Sequence, residues 1–181
     1  MKKIAFLGLL VFTGNVMFSQ KIMTRTGEIK FEASMPAFEE IAAKNNTVSC
    51  ILDESNGDFV ALALVKAFKF KAPLMEEHFN ENYLESSVFP KSTFKGKIIG
   101  FDSSKLSSKK NIYDLEGDFT LHGVTKKIKA KITIFLNSDK VIATSDIIVK
   151  PQDYNIEIPN LVKKKIAENV KVSINFILQQ K

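Results

Sequence analysis

From Tyr113 to Leu136, apolar and polar positions alternate with a period of two in two successive runs. Tyr113, Leu115, Gly117, Phe119 and Leu121 share one parity, and Asp114, Glu116, Asp118, Thr120 and His122 share the other. Gly123-Val124-Thr125 reads as a short turn. Beyond it, Ile128, Ala130, Ile132, Ile134 and Leu136 alternate with Lys127, Lys129, Lys131 and Thr133. Period two marks a strand with one dry and one wet face. Two such strands around a short turn predict an antiparallel hairpin. The wet face is acidic on the first strand and basic on the second. Opposite charges across a ladder help fix register, at about 0.2–1 kcal/mol per pair.

The same reading extends along the chain. Ile29, Phe31, Ala33 and Met35 alternate with Lys30, Glu32 and Ser34 as a first strand, which Pro36 ends. Ala37 to Lys44 reads as a short helix closed by Asn45-Asn46, and Thr47 to Asp53 as the second strand. Ser55-Asn56-Gly57-Asp58 is a turn. Phe59 to Lys71 reads as a long third strand with apolar residues on both parities. Val60, Leu62, Leu64, Phe68 and Phe70 are taken as its inner face, interrupted by Lys66, where a bulge or strand end is expected. Pro73 opens a helix over Leu74 to about Leu84, with Met75, Phe79 and Tyr83 at i, i+4 and i+8 on one stripe.

A fourth strand, Thr93 to Asp102, puts Phe94, Gly96, Ile98 and Gly100 on one face, and its glycines suggest a bend. After a polar loop and the central hairpin, a seventh strand covers Val141 to Lys150. Pro151 to Pro159 is irregular, and Leu161 to Glu168 reads as a third short helix carrying Lys163-Lys164-Lys165. The eighth strand sets Val170, Val172, Ile174, Phe176 and Leu178 against Lys171, Ser173 and Asn175. The fold class is therefore mainly β: an eight-stranded antiparallel barrel with short helices, one near the barrel mouth. Such a barrel is filled by its own side chains or holds one small ligand. An inverted barrel, apolar outside for a membrane, is the less favoured arrangement because the polar parity is dense in Lys, Asp and Glu.

Composition sharpens this picture. The chain has 181 residues, the size of one domain. Fifteen Phe, three Tyr and no Trp make the interior a dry one. Its candidate lining is Leu62, Phe68, Phe70, Phe94, Phe119, Leu121, Ile132 and Phe176 from the strands, with Met75, Phe79 and Tyr83 from the helix stripe. The formal charge of +6 is spread along strand faces, the pattern of a solvated exterior rather than of a nucleic-acid surface. Residues 1–19 read as a secretory signal: Lys2 and Lys3, an apolar run from Ile4 to Phe12 too short to span a bilayer, and Ser19 at the expected cut. Their removal takes away two lysines and no acids, so the charge falls from +6 to +4 and residues 20–181 remain as one domain. Cys50 is the only cysteine, on the parity of Val48 and Leu52, and reads as a buried inert thiol.

The only histidines are His78, read as making a structural hydrogen bond, and His122, read as a turn residue. Neither has a partner at metal-ligand spacing, and no phosphate or calcium loop occurs. No catalytic residue and no metal site is assigned, and the expected protein is not an enzyme.

Three segments then carry a resemblance. The first is Leu74-Met75-Glu76-Glu77-His78-Phe79 with Phe89-Pro90 and Thr93-Phe94-Lys95-Gly96. The second runs from Leu115 through His122-Gly123-Val124-Thr125-Lys126, and the third is Val170-Lys171-Val172-Ser173-Ile174. In this order and spacing they resemble the YceI-like family of secreted bacterial proteins across essentially the whole mature chain. The chain departs from the commoner family pattern at Asp153-Tyr154-Asn155, where many members read DFG. The resemblance implies a lipocalin-like barrel with a hydrophobic tunnel for polyisoprenoid chains, such as quinone tails, or for other amphiphilic lipids.

The expected function is a periplasmic or secreted carrier of a long-chain isoprenoid or similar lipid. It needs no cofactor beyond a bound isoprenoid quinone or polyprenyl lipid, no nucleic acid and no membrane span, and a homodimer is left open. Each buried CH₂ contributes about 0.8 kcal/mol, against roughly 4–15 kcal/mol for association, so a dry tunnel suits long chains. The alternatives are a stress-related interaction protein with a side-chain-filled barrel and, less favoured, a lipid-modifying enzyme.

Overall fold

The structure is a computed structural model that describes residues 21–35 and 37–180. The segment expected to be a secretory signal, residues 1–19, lies outside the described residues. Nine strands follow in order: β1 (Lys21–Ser34), β2 (Ala42–Asp53), β3 (Asp58–Leu64), the two-residue β4 (Lys69–Phe70), β5 (Lys91–Ile99), β6 (Asn111–Leu121), β7 (Val124–Asn137), β8 (Lys140–Val149) and β9 (Ile166–Gln180). The long strands pair antiparallel with their sequence neighbours, and β9 returns to β1, so the sheet closes into an eight-stranded up-and-down barrel. Closure gives every long strand a hydrogen-bonded neighbour on both sides over at least part of its length.

The apolar parity points inward and the charged parity outward, so the inverted arrangement is not the one observed. In the β6–β7 hairpin Asp114 faces Lys131 and Glu116 faces Lys129, with ion pairs of 2.6 and 2.8 Å. The turn is tighter than expected. Leu121 pairs with Val124, and the two residues between them, His122 and Gly123, have φ of 48° and 73°. Positive φ at both central residues is the twist-matched geometry of a two-residue hairpin. Gly96 on β5 stands opposite Gly117 on β6, and the Phe94 ring lies over both. A Cβ at Gly96 would come 2.3 Å from the Glu116 carbonyl oxygen, so this close approach requires glycine.

Four expectations are corrected. Ala37 to Lys44 is not a helix: Ala42 and Ala43 already pair with Glu32 and Phe31, and Ala43 with Phe70. So short a helix has no stability of its own, and the backbone takes the sheet partners on either side. Leu161 to Glu168 is not a helix either: turns run to Lys165 and β9 begins at Ile166, paired to Ser34. The long third strand ends at Leu64, followed by a 3₁₀ turn over Val65–Ala67 that leaves Lys66 in solvent. That turn shifts the parity. Phe59, Ala61 and Ala63 face inward before it and Phe68 after it, while Val60 and Leu64 are exposed. Finally, α1 (Pro73–His78) is one and a half turns long, and Phe79–Tyr83 continues as a wider π turn.

The two ends of the barrel differ. The connections β1–β2, β3–β5 and β8–β9, together with the tight β6–β7 turn, all gather at one end. At the other end Ile22, Cys50, Leu52, Ile98, Ile132, Ile134, Val141 and Leu178 pack into a closed core. Burial there pushes the Cys50 thiol pKa upward, which keeps it protonated and inert.

Candidate functional site: an apolar cavity under the looped end

The core does not fill the barrel. Above the packed layer lies a cavity of about 360 Å³ that reaches from Phe59, Phe94 and Phe176 up to α1 and the β8–β9 connection. Its existence follows from residue size. Ala33, Ala61 and Ala63 point into this half of the barrel, and small inward residues leave room that larger ones would fill. Aromatic rings make much of the wall. Phe31, Phe68, Phe70 and Phe79 form one cluster with centroid separations of 5.1–5.9 Å, tying β1, β4 and the π turn together. Phe59 stacks on Phe176 at 6.2 Å across the barrel.

Of the sequence-predicted lining, Leu62, Phe68, Phe70, Met75, Phe79, Tyr83, Phe94, Phe119, Leu121 and Phe176 border this cavity. Leu62 does so from the half-buried outer parity of β3. Ile132 is not brought to it: at 0% exposure it belongs to the closed core below. Sequence reading missed the β8–β9 contribution, where Ile147, Val149, Ile156, Ile158 and Val162 complete the wall. The available signal was a run of aliphatic residues spaced through a connection bounded by Pro151 and Pro159, more apolar than a solvated loop needs.

Polar groups on the wall are few. Ser145 donates its hydroxyl to the Lys131 carbonyl at 2.6 Å. His78 and Lys165 stand at the open rim. The His78 side chain makes no hydrogen bond to a described residue, so the structural bond expected for it is not found. Among the described residues no group of His, Cys, Asp or Glu gathers to hold a metal ion, and no helix is long and apolar enough to cross a membrane.

His122 has a larger role than its turn position suggested. It is 9% exposed, with Nδ1–H donating to the Tyr154 carbonyl at 3.0 Å and Nε2 2.8 Å from Glu85 Oε2. Phe89 packs edge-on against the ring at 4.4 Å. One side chain thus joins the β6–β7 turn, the segment after the π turn and the 3₁₀ turn Pro151–Tyr154. Asn155 ends that 3₁₀ turn with φ 56° and ψ 31°. The left-handed region favours glycine and then asparagine, so Asn155 meets the backbone demand of this turn. Tyr154 is buried with its ring edge on Phe119 at 5.4 Å; burial, then the Asp153 charge, raises its phenol pKa.

A closed antiparallel barrel with one apolar cavity opening beneath its loops defines a lipocalin-like binding fold. The family model for the YceI-like domain matches residues 11–178, and the chain belongs to that family. Solved structures agree on the fold. A polyisoprenoid binding domain from Saccharophagus degradans, implicated in plant cell wall breakdown, superposes with a TM-score of 0.77 at 14% identity, over 89% of this chain and 98% of that one. BcnA of Burkholderia cenocepacia gives 0.68 at 13% identity, over 84% and 96%. The YCEI protein of Campylobacter jejuni gives 0.60 at 12% identity, over 79% and 88%. No curated protein matches this chain.

Proposed function

We propose that this protein is a non-enzymatic carrier that holds a long-chain isoprenoid or similar amphiphilic lipid in its barrel, and that it works in the periplasm or outside the cell after loss of its signal segment. The observation that carries this reading is the cavity: about 360 Å³, walled by Phe and aliphatic side chains, in a barrel whose other half is fully packed. Membership of the YceI-like family supports it, as does the polyisoprenoid-binding description of the Saccharophagus degradans domain. The scarcity of polar groups favours burial of an alkyl or isoprenyl chain over recognition of a polar metabolite. His78 and Lys165 at the rim suit a polar head left at the surface.

The test is extraction of the protein, purified from its native host's envelope, with organic solvent, followed by mass spectrometry of the extract and intact mass of the protein. A stoichiometric lipid on a chain lacking about its first nineteen residues is expected. An empty protein that also fails to take up a fluorescent isoprenoid leaves the interaction-protein reading in place. A full-length chain refutes export.

A further inference from the structure

The seam between β7 and β8 is paired over only part of its length. β7 and β8 pair from Asn137↔Lys140 to Ile132↔Ser145, and there the ladder stops. Val124–Lys131 continue on β7, paired only to β6, and Asp146–Val149 continue on β8, paired only to β9. Had the register continued, Lys131 would face Asp146, an opposite-charge pair suited to zip the strands. Instead each charge turns to its own side: Lys131 to Asp114 at 2.6 Å, Lys129 to Glu116 at 2.8 Å, and Asp146 to Lys171 at 3.7 Å and to the Ser173 hydroxyl.

Between the parted strands lies a cleft of about 310 Å³. Phe119, Ile128, Ile147 and Val149 belong both to its wall and to the wall of the main cavity, so only this apolar partition separates the two. The opening is framed at both ends. Below, the Ser145 hydroxyl bonds the Lys131 carbonyl. Above, the Pro151–Tyr154 turn is fastened by Lys126–Asp153 at 3.3 Å and by His122 on the Tyr154 carbonyl.

We propose that the parted upper halves of β7 and β8 are a side doorway through which the chain of a bound lipid enters and leaves the cavity. The inference rests on the lipid-binding reading above and adds the route. Volume argues for it. A methylene group takes up about as much room as a water, roughly 30 Å³, so the main cavity holds about a dozen carbons. A longer isoprenoid has to continue elsewhere, and the cleft is the adjoining space with an apolar floor. An extended peptide adding to the free strand edges is the competing occupant, and the shared apolar partition favours the lipid.

The test uses Lys129→Cys with Ile148→Cys, one on each lip, bridged by a bifunctional thiol reagent with a reducible link; the buried Cys50 does not compete. Thr133→Cys with Thr144→Cys, opposed in the paired half, is the control. With a fluorescent long-chain isoprenoid as probe, bridging the lips slows both uptake and release by about tenfold or more, reductant restores them, and the control bridge leaves them unchanged. Equal rates before and after bridging the lips overturn the doorway while leaving lipid binding intact. Failure of the unbridged protein to bind any chain overturns both. The wild type gives an independent measure by hydrogen exchange. Amides of residues 128–131 and 146–149 gain protection with a chain of about twenty carbons, but not with one of about ten that fits inside. Absence of that difference also overturns the doorway.

Discussion

Among single residues, His122 joins the most parts of the molecule. Both ring nitrogens face acceptors, the Tyr154 carbonyl and the Glu85 carboxylate, and three connections meet on the one ring. Glu85, His122 and Asn155 all have positive φ, a conformation that costs non-glycine residues roughly 1–2 kcal/mol each. The contact between the Glu85 and His122 side chains helps hold those two there. Replacing His122 with Ala removes the bond and strands the buried Tyr154 carbonyl, so a loss of roughly 1–3 kcal/mol in urea unfolding is expected. The cavity makes a second residue-scale prediction. Phe176 is 1% exposed, and its ring packs on Gly27 and Phe59. Truncating it to Ala costs the core value of about 3–5 kcal/mol. Phe119 is half-buried, with one side already facing empty space, so Phe119→Ala in lipid-free protein costs less, while binding of a fluorescent isoprenoid weakens. Equal losses from the two substitutions would contradict an open cavity.

Among elements, legibility followed how far local pattern decided the structure. The β6–β7 hairpin was readable down to the opposite charges on its two outer faces because the alternation is unbroken there, and only its turn lies earlier than expected, at His122-Gly123. The β3 region was not, because apolar residues occupy both parities. Val60, Leu62 and Leu64 look like the buried face, yet the small Ala61 and Ala63 point inward and create the cavity. Pattern reading rewards large apolar residues, and a binding cavity needs small ones, so the site itself misled it. The segments at 37–44 and 161–168 lacked any stripe strong enough to overcome the pairing offered by β1.

The α1 element carries a pH prediction. The Lys69 ammonium, and to a smaller degree the Phe70 backbone N–H, hold the Glu76 carboxyl below its ordinary value of 4.5. A depressed carboxylate pKa contributes stability above the unfolded value and loses it as pH falls through the folded one. The melting-temperature advantage of wild type over Glu76→Gln is therefore present at about pH 6 and shrinks towards about pH 3. The effect is small because the pair is largely in solvent. An advantage that grew on acidification would mean Glu76 is not held ionised by Lys69.

At the scale of the whole molecule, the barrel is divided along its axis into a packed half and an open half, and this division sets what it can bind. The packed half closes the cavity floor at Ile98, Ile132 and Ile134, so a chain held in the open half cannot continue along the barrel axis to the opposite end. Within the cavity each added methylene contributes about 0.8 kcal/mol, close to a fourfold gain in affinity. That slope persists until the space is filled, at about a dozen carbons by volume. Beyond this length added carbons reach the β7–β8 cleft, which has a dry floor but charged and solvent-open lips, and each then contributes less. Titration of a homologous series of straight-chain alcohols into lipid-free protein is expected to show this break: a steep rise, then a shallower one that does not reverse. A rise ending abruptly with loss of binding for longer chains would describe a sealed pocket and leave long isoprenoids without room. A uniform slope past about twenty carbons would place the main chain-binding surface outside the barrel.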